Sequence, residues 1–532
     1  MTDRVRRRML GAALGAPALL AGCSPSNDWR ERVQGRWIGD NAPLGHRVRH
    51  AAALPPPPGR ERRCDVIIVG GGIAGLAAAR ALRRAGVEDF TLLELEDDAG
   101  GNSRGHVLQG LPCPRGAHYL PLPGPAAEEV QAFLVEIGLA RAIPGGHAWD
   151  ERLLCHSPQE RLFIDGHWQD GLLPEVARNS PTRAQYHRLA ALMDETARLG
   201  FSLPTRRAAW SPALAALDAQ PFDTWLRRNE ITDDRLHAYL DYCCRDDYGA
   251  GSRVVSAWAG VHYFASRHGF TAPGDGAADR DPVLTWPDGN APLARALRAP
   301  LGTRLQAGRA VFRIDEGREE VQAWCFAGDT VERWTARHAI IATPLFIAAR
   351  LLRAPPPALI ETARAQRHAP WLVAELLLDG LPLDRVGAPL SWDNVIHGSA
   401  SLGYVDAQHQ SLAPVTGPRL WTAYWALPES QRQGLLEMRW EDAAGLVLSD
   451  LHAVHPDLAQ RSTHVDCVRH GHAMAIPTPG MRASPALAAV PACARRISFA
   501  HADLAGYSVF EEAFTCGDTS GQRTAIALKT LN

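Results

Sequence analysis

The feature that most constrains this chain is an apolar segment that runs straight into a glycine-rich turn. Asp65–Val69 reads as a buried strand, the turn follows, and an Ala- and Leu-rich helix comes next. Gly70, Gly72 and Gly75 have the G-x-G-x-x-G spacing of a dinucleotide-binding βαβ unit. The first glycine permits a tight turn, the second lets the backbone approach a pyrophosphate, and the third allows close helix–strand packing. The sequence therefore predicts a Rossmann-type α/β unit.

A second predicted strand, Phe90–Glu94, ends in a carboxylate 19 residues after Gly75 (94 − 75). An acid at this distance accepts a hydrogen bond from a ribose 2′-OH and would repel a 2′-phosphate. Ile73 and Ala74, between the glycines, are further candidates for cofactor binding, and the predicted helix Leu76–Ala85 offers free N–H groups and a positive dipole end to the phosphates. We prefer a nucleotide site to a nucleotide-free α/β turn because strand, glycines, helix and acid agree.

The chain then resembles a known family at a Gly-Gly pair. Gly100 and Gly101 follow Glu94 at the spacing of the flavin amine oxidase superfamily, which includes monoamine and polyamine oxidases, protoporphyrinogen oxidase and phytoene desaturases. The resemblance implies FAD rather than NAD. Asn102–Ser103 separate the pair from Arg104, whereas the family has arginine directly after it, and the resemblance gives Arg104 the phosphate-binding role.

The C-terminal part resembles the same family. Arg496–Asp503 reads as a strand that ends in an acid, and the resemblance implies that Asp503 bonds the ribityl chain of the flavin. It also implies that the next helix points backbone N–H groups, near Glu512 and Ala513, at flavin N1 and O2. Ala339–Pro344 resembles the strand that closes the family's FAD domain.

The resemblance implies an α/β fold in which a discontinuous Rossmann-type FAD-binding domain is interleaved with a mixed α+β substrate domain. The first substrate segment has mostly helical spacing. We predict a signal peptide at 1–22, a tether at 23–63, FAD segments at 64–144, 284–350 and 491–532, and substrate segments at 145–283 and 351–490.

The N-terminus reads as a targeting segment. Arg6–Arg8 with Met9 and Leu10 resembles a twin-arginine signal, and Leu20–Cys23 resembles a bacterial lipobox that is cleaved before a lipidated Cys23. A twin-arginine route fits a flavoprotein because it carries folded cargo. We therefore expect an exported lipoprotein held at a membrane surface facing the periplasm or the cell exterior, on the inner or the outer membrane.

Composition and cysteine spacing argue against a nucleic-acid-binding protein, a metal site and a covalently bound flavin. The 532 residues are 46% hydrophobic and 21% charged with a net charge of −2, which fits a globular chain with more than one core and no nucleic-acid partner. The 10 cysteines are scattered without a C-x-x-C pair, so we predict no metal site. Monoamine oxidases tether flavin to a cysteine, but Cys493 lies closer to Phe499 than that motif requires, so we expect non-covalent FAD.

The family usually has a lysine on the first substrate-domain strand, where it holds a water against flavin N5. The corresponding stretch, Ala369–Leu376, has no lysine, and Lys529, the only lysine of the chain, lies on the last predicted helix. Reoxidation by oxygen benefits from a fixed positive charge near N5. We therefore expect hydride transfer to N5 without a lysine-held water and an acceptor other than oxygen, unless a protonated histidine substitutes.

Four residues are catalytic or substrate-binding candidates. His118 follows the Gly-Gly motif where the family's chain runs beneath the flavin, and a base or a core histidine fits equally well. By the same resemblance, Asn290 lies in the loop beside the flavin edge and His472 beside the substrate cavity. Tyr507 is the candidate for an aromatic wall.

Asp241, Asp246 and Asp247 place acids beside aromatic residues, which would suit a cationic amine. We prefer a solvated helix end there, because Arg245 lies among them.

Three functions remain open. The first is an exported FAD enzyme that oxidises a small-molecule amine or another CH–NH or CH–CH donor. The second is an FAD-dependent desaturase or isomerase acting on an apolar substrate at the membrane. The third is a non-catalytic flavoprotein that serves as an assembly partner.

Overall fold

The computed structural model describes residues 29–39, 41–49, 51, 57–267, 269–272, 282–411, 416–492 and 495–530. The predicted signal peptide and Cys23 lie outside these residues. No helix among the described residues is long and apolar enough to cross a membrane.

The strands of the described residues are β1 (Trp37–Ile38), β2 (Arg60–Val69), β3 (Phe90–Leu93), β4 (Gly105–Leu108), β5 (Leu111–Pro114), β6 (Tyr119–Pro121), β7 (Ala140–Ile143), β8 (Gly146–Trp149), β9 (Glu160–Ile164), β10 (His167–Asp170), β11 (Val283–Thr285), β12 (Leu305–Gln306), β13 (Arg309–Glu316), β14 (Val321–Ala327), β15 (Thr330–Ile341), β16 (Arg367–Leu378), β17 (Asp393–Ile396), β18 (Tyr404–Asp406), β19 (Arg419–Ala426), β20 (Ser462–Ile476) and β21 (Ile497–Phe499).

The α-helices of the described residues are α1 (Trp29–Arg32), α2 (Ala42–Arg49), α3 (Ile73–Arg84), α4 (Glu128–Glu136), α5 (Pro181–Ala197), α6 (Pro212–Asp218), α7 (Phe222–Arg228), α8 (Asp234–Tyr248), α9 (Ala257–Ala265), α10 (Ala291–Arg298), α11 (Leu345–Leu351), α12 (Pro357–Ala365), α13 (Arg432–Glu437), α14 (Trp440–His452), α15 (Leu458–Arg461), α16 (Pro485–Ala489) and α17 (Phe510–Thr530).

The first sheet has the order β12-β3-β2-β15-β14-β13, and β21 pairs with β15. β2 pairs in parallel with β3 and β15, while β13, β14 and β15 form an antiparallel meander. Val66–Val69 of β2 is buried throughout, as a parallel strand covered on both faces requires. The strands come from widely separated parts of the chain, so the predicted discontinuous Rossmann-type α/β fold is confirmed.

The second sheet has the order β1-β20-β16-β19-β18-β17-β9-β10. Side chains of β16 alternate between its two faces. Trp371 and Val373 pack in one core with residues of α5 to α9, whereas Leu372 and Ala374 pack in another core with residues of α14. The odd-numbered residues of β16 therefore face the helical layer of the substrate domain, and this alternation decides which side chains can reach a site there.

The predicted tether at 23–63 differs from the structure in its described part. Trp29 and Val33 are buried, and β1 pairs in parallel with β20 through Trp37 and Ile38. The large apolar residues of this stretch gain free energy by burial against the substrate sheet. The sequence prediction missed this docking because an Arg- and Pro-rich composition is typical of a tether. The outer limits of the other predicted segments stay predictions.

Candidate active site

Residues from both sheets line one cavity of about 540 Å³. The glycine turn after β2 and Glu94 after β3 form one end, and β16, β20 and the C-terminal end of α8 form the other. An elongated cavity between two domains is a usual place for a cofactor and a small substrate.

The glycine end has the shape of a backbone cradle. Gly70 has φ +102°, and a Cβ there would lie 2.7 Å from the carbonyl oxygen of Ala342. Gly72 begins α3 and faces Gly101, where a Cβ would lie 3.1 Å from the Cα of Gly72. Side chains at these positions would fill the space that a phosphate needs. Gly100 lines the cavity beside Gly101.

The Glu94 carboxylate is fixed in the cavity wall by backbone donors. Gly71 N–H donates to Oε2 at 2.6 Å, and Glu96 N–H donates to Oε1 at 2.8 Å. Burial raises the pKa of Glu94, and these two N–H groups oppose that rise. The carboxylate therefore stands where the sequence predicts a ribose to bind.

At the C-terminal side, Asp503 lines the cavity with a fully buried carboxylate. Leu345 N–H donates to its Oδ2 at 2.9 Å, and His368 and His501 contact it at 3.3 and 3.1 Å. Burial would raise the pKa of Asp503, but the two histidine rings lower it below its ordinary range. Asp503 thus joins the start of α11 to β16 as well as facing the cavity.

The first turn of α17 also borders the cavity, through Phe510, Glu511 and Ala513. Ile73 and Ala74, at the start of α3, line it as well. Two helix N-termini therefore meet one cavity, which favours a ligand that carries negative charge.

Three of the four catalytic candidates line the cavity. His118 stacks on Tyr424 with ring centroids 4.4 Å apart, and burial lowers the pKa of His118 to about 4. Burial, then the nearby Arg432, lowers the pKa of His472 to about 4. Both rings are therefore neutral at pH 7, so neither His118 nor His472 replaces the missing lysine as a fixed cation.

The third candidate, Asn290, is held by its side chain and leaves one atom free. Its Nδ2 donates to the carbonyl of Tyr119 at 2.9 Å, while its buried Oδ1 has no hydrogen-bond partner among the described residues. An acceptor without a donor in a cavity wall suits a ligand N–H group.

Four predicted site residues do not line the cavity. Gly75 packs against β2, where a Cβ would lie 1.9 Å from the carbonyl oxygen of Gly70. Arg104 turns away and pairs with Glu96 at 3.4 Å. The Glu512 carboxylate instead accepts from the Thr205 N–H and from the Tyr507 hydroxyl, at 2.6 and 3.0 Å.

Tyr507 therefore does not form a wall of the cavity. Its ring packs edge-on against Tyr248 and Trp258 in the helical core. Tyr507 precedes α17, and its side chain packs into the helical core of the substrate domain instead of lining the cavity.

The far end of the cavity holds acids for which the sequence favoured a solvated helix end over an amine site. Asp246 and Asp247 line the cavity, so the solvated helix end preferred from the sequence is wrong. Asp247 pairs with Arg267 at 3.0 Å. Tyr119 donates its hydroxyl to Asp246 Oδ2 at 3.0 Å. The sequence signal for this site was the run Asp246, Asp247 and Tyr248 at the end of α8, which places two acids beside an aromatic residue.

The residues at the cavity fit FAD. The glycine cradle and the two helix N-termini suit a pyrophosphate, the Glu94 carboxylate suits a ribose, and the free Oδ1 of Asn290 suits a ring N–H. The evidence for this fit to FAD is the set of hydrogen-bond donors and acceptors that the cavity-lining residues present.

Comparisons with known proteins agree with this geometry. Residues 73–517 match the family model described as flavin containing amine oxidoreductase. An L-amino acid dehydrogenase of Synechocystis is 26% identical over 316 residues, which are 59% of this chain and 63% of that protein. The flavin-containing amine oxidase B of Rattus norvegicus is 24% identical over 55% of this chain and 52% of its own. The matched stretch is thus less than two thirds of either relative.

Solved structures share the fold. A putrescine oxidase bound to putrescine superposes with a TM-score of 0.66 at 17% identity, covering 88% of this chain and 100% of its own. A cyclohexylamine oxidase from Brevibacterium oxydans superposes with a TM-score of 0.65 at 18% identity, covering 88% and 99%. At these identities the likeness shows the fold alone.

Gly72→Val should abolish FAD binding while leaving the chain folded. Gly72 has φ −69°, which valine adopts freely, and the nearest neighbour to a Cβ there is the Gly101 Cα at 4.0 Å. The larger side chain would therefore project into the cradle. Flavin absorbance per chain should fall at least tenfold, with circular dichroism unchanged.

Gly124→Val is the matched control, because Gly124 is exposed with open space around it. Acid precipitation of the wild type should release the flavin into the supernatant. Flavin in the pellet would show a covalent bond, and full flavin content in Gly72→Val would contradict the cradle.

Proposed function

This chain belongs to the flavin-containing amine oxidoreductase family and is an FAD-dependent oxidoreductase, and we propose that it oxidises the carbon–nitrogen bond of a cationic amine. The single observation that carries the proposal is Asp246, a carboxylate on the cavity wall to which no described arginine or histidine is paired. Asp246 is half-buried, and a partly desolvated carboxylate without an ion-pair partner attracts a cation.

The surroundings of Asp246 keep its charge available. Burial and then Asp247 raise the pKa of Asp246 to about 6, so it is ionised at pH 7.5. Arg267 is engaged by Asp247, with a further Nη contact at 3.4 Å, and does not neutralise Asp246 directly. A protonated amine would supply the missing counter-ion.

Aromatic rings complete the binding environment. His118, Tyr119 and Trp371 line the same cavity, and Tyr119 stands edge-on to Trp392 with ring centroids 5.8 Å apart. Ring faces attract cations, and they also bury the alkyl part of a substrate.

When bound, FAD supplies a hydride acceptor. Gly70, Gly72 and Glu94 would hold its phosphate and ribose parts, and the start of α17 would border its ring. Asp246 binds and orients the amine. Glu511, whose pKa burial raises to about 7, lies in the same wall and takes the proton that the amine must lose.

Charges at the substrate end argue against an apolar substrate. A hydrocarbon would cover Asp246 and Glu511 in the cavity wall without offering a polar partner to either carboxyl group. The names of the relatives also favour an amine, since one is an L-amino acid dehydrogenase and one solved structure is a putrescine oxidase. A non-catalytic assembly role leaves the unpaired Asp246 without an explanation.

The electron acceptor in this proposal is not oxygen. β16 contributes His368, Trp371 and Val373 to the cavity, and no lysine. His118 and His472 are neutral at pH 7 because burial lowers the pKa of each to about 4. Superoxide-like charge would therefore lack a lysine or a protonated His118 or His472 to stabilise it, and Arg267 in the same cavity is already paired with Asp247.

For location, the proposal is an exported lipoprotein anchored through Cys23. It rests on the basic Arg6–Arg8 run and the Leu20–Cys23 lipobox alone.

Asp246→Asn should raise KM for the best amine by about 10- to 100-fold with flavin content unchanged, because a charge-assisted contact contributes about 1.5–3 kcal/mol. In the wild type, kcat/KM should fall as the pH drops through about 7, where Glu511 becomes protonated and no longer accepts a proton, and further through about 6, where protonation of Asp246 removes its negative charge. Steady-state kinetics across pH 5–9 measures both.

Asp234→Asn, an exposed position on the same helix, is the control and should keep wild-type kinetics. Unchanged KM in Asp246→Asn would overturn the assignment of Asp246.

Reoxidation by oxygen should be slow. After anaerobic reduction by substrate, stopped-flow mixing with air-saturated buffer should return the flavin colour orders of magnitude more slowly than mixing with a quinone or an indophenol dye. His472→Gln should leave the rate unchanged at pH 7.5, because the histidine is already neutral. A fast return of colour that is first order in oxygen would identify an oxidase instead.

Cys23→Ser should leave the precursor unprocessed and should prevent lipid labelling in the native host, with Cys155→Ser behaving as wild type. Replacing Arg6, Arg7 and Arg8 by lysine should retain the precursor in the cytoplasm. Fractionation with labelled fatty acid measures both, and unaltered processing of Cys23→Ser would contradict the anchor.

A further inference from the structure

A second cluster of chemically active side chains lies outside the cavity. His106, Glu375 and Asp466 each direct one ligand-type atom to a common point, and these atoms all lie within 4.8 Å of one another. His106 Nε2 is 3.4 Å from Asp466 Oδ2 and 4.0 Å from Glu375 Oε2. Ligands at 2.0–2.2 Å from a tetrahedral Zn²⁺ stand about 3.4 Å apart, so the set is close to metal geometry.

The sheet register creates the acidic half of the cluster. Glu375 on β16 and Asp466 on β20 are directly opposite each other, so both side chains project from the same face. His106 comes from the β4–β5 hairpin, which packs on this face through Cys113 and Leu377. Three separate parts of the chain thus supply the set, which is why the sequence predicted no metal site.

Glu375 gives independent evidence for a ligand. Its side chain is fully buried, and neither carboxylate oxygen has a hydrogen-bond partner among the described residues. The Cys113 thiol interacts with this carboxylate, but a thiol is a weak donor. Arg115 acts on it only as a distant charge. An unsatisfied buried carboxylate is costly unless a cation completes it.

The other acid is already oriented for a ligand. Asp466 Oδ1 accepts from His464 Nε2 at 3.0 Å and from the Arg36 N–H at 3.1 Å. These contacts fix the carboxylate and leave Oδ2 facing His106, as outer hydrogen bonds do at metal sites. Arg36 belongs to the docked N-terminal stretch, so that stretch also supports the cluster.

We propose that His106, Glu375 and Asp466 form a binding site for a divalent transition-metal ion, with Zn²⁺ the best match to one imidazole and two carboxylates. Three protein ligands leave a coordination position for water. The two carboxylates neutralise the ion, so each group buried there gains a partner.

The metal site would link the FAD-binding domain to the substrate domain. The β4–β5 hairpin follows the Gly101 turn of the FAD domain, whereas β16 and β20 belong to the substrate sheet. Glu375 is two residues from Val373, which lines the cavity, or roughly 7 Å along a strand. The ion would therefore hold the hairpin against the same face of the sheet, next to the part of β16 that lines the cavity.

The competing explanation is an ion pair of protonated His106 with the two acids. Metal analysis separates the two. The full flavin-loaded chain, treated with a chelator, dialysed and titrated with Zn²⁺, should bind about one ion tightly and gain several degrees in Tm. Glu375→Gln, nearly isosteric, and His106→Ala should lose this binding at least tenfold while keeping flavin. His167→Ala, at an exposed histidine, should behave as wild type.

Co²⁺ in place of Zn²⁺ should add visible d–d bands that Glu375→Gln lacks. Wild-type protein with less than a tenth of an equivalent of any transition metal, and a Tm that Zn²⁺ leaves unchanged, would overturn the proposal in favour of the ion pair. Full binding in both variants would overturn it too, because the ion would then sit elsewhere. Neither outcome bears on Asp246 or on amine oxidation.

Discussion

The rest of the structure depends on the backbone-to-backbone packing of α3 against α17. A Cβ at Gly517 would lie 2.0 Å from the carbonyl oxygen of Ala74, and one at Gly521 would lie 2.6 Å from that of Ala78. The contact on α3 moves from Ala74 to Ala78 as the contact on α17 moves from Gly517 to Gly521, so the two helices are parallel. Both N-termini therefore lie at one end of the pair, where they border the cavity, so the start and the end of the chain together create its electropositive wall.

Local signals explain how much of the fold could be predicted. The glycine turn and the buried strand before it are encoded within a few residues, and the family resemblance supplied the order of segments. The docking of Trp37–Ile38 on β20 was missed because its partners, Cys467 and Val468, are far along the chain. A two-residue strand at the edge of a sheet is too short to show a periodic hydrophobic pattern in the sequence. The Pro-rich stretch that follows it also indicated an unpacked tether.

The site was predicted best where the backbone itself makes the contact. Gly70 and Gly72 face the cavity because glycine positions follow the chain path. The roles of side chains were less predictable, because neighbouring residues at the start of a helix project their side chains in different directions. Tyr507 and Glu512 bond each other in the core instead of facing the cavity. Asp246 was named as a possible amine-binding residue but ranked second, because a charged helix end is usually solvated and only the packing of the substrate domain places it in the cavity wall.

Burial acts in opposite senses on the acids and bases of the cavity. It lowers the pKa of His118 and His472 to about 4, which keeps both neutral, and it raises the pKa of Asp246 only to about 6, which keeps it charged. Asp247 forms an ion pair with Arg267, whereas Asp246 forms none within 4 Å among the described residues and feels Arg267 only as a more distant charge. A half-buried charge without an ion-pair partner costs folding free energy. The cationic amine proposed as substrate would offset that cost, so its binding to Asp246 would also stabilise the folded chain.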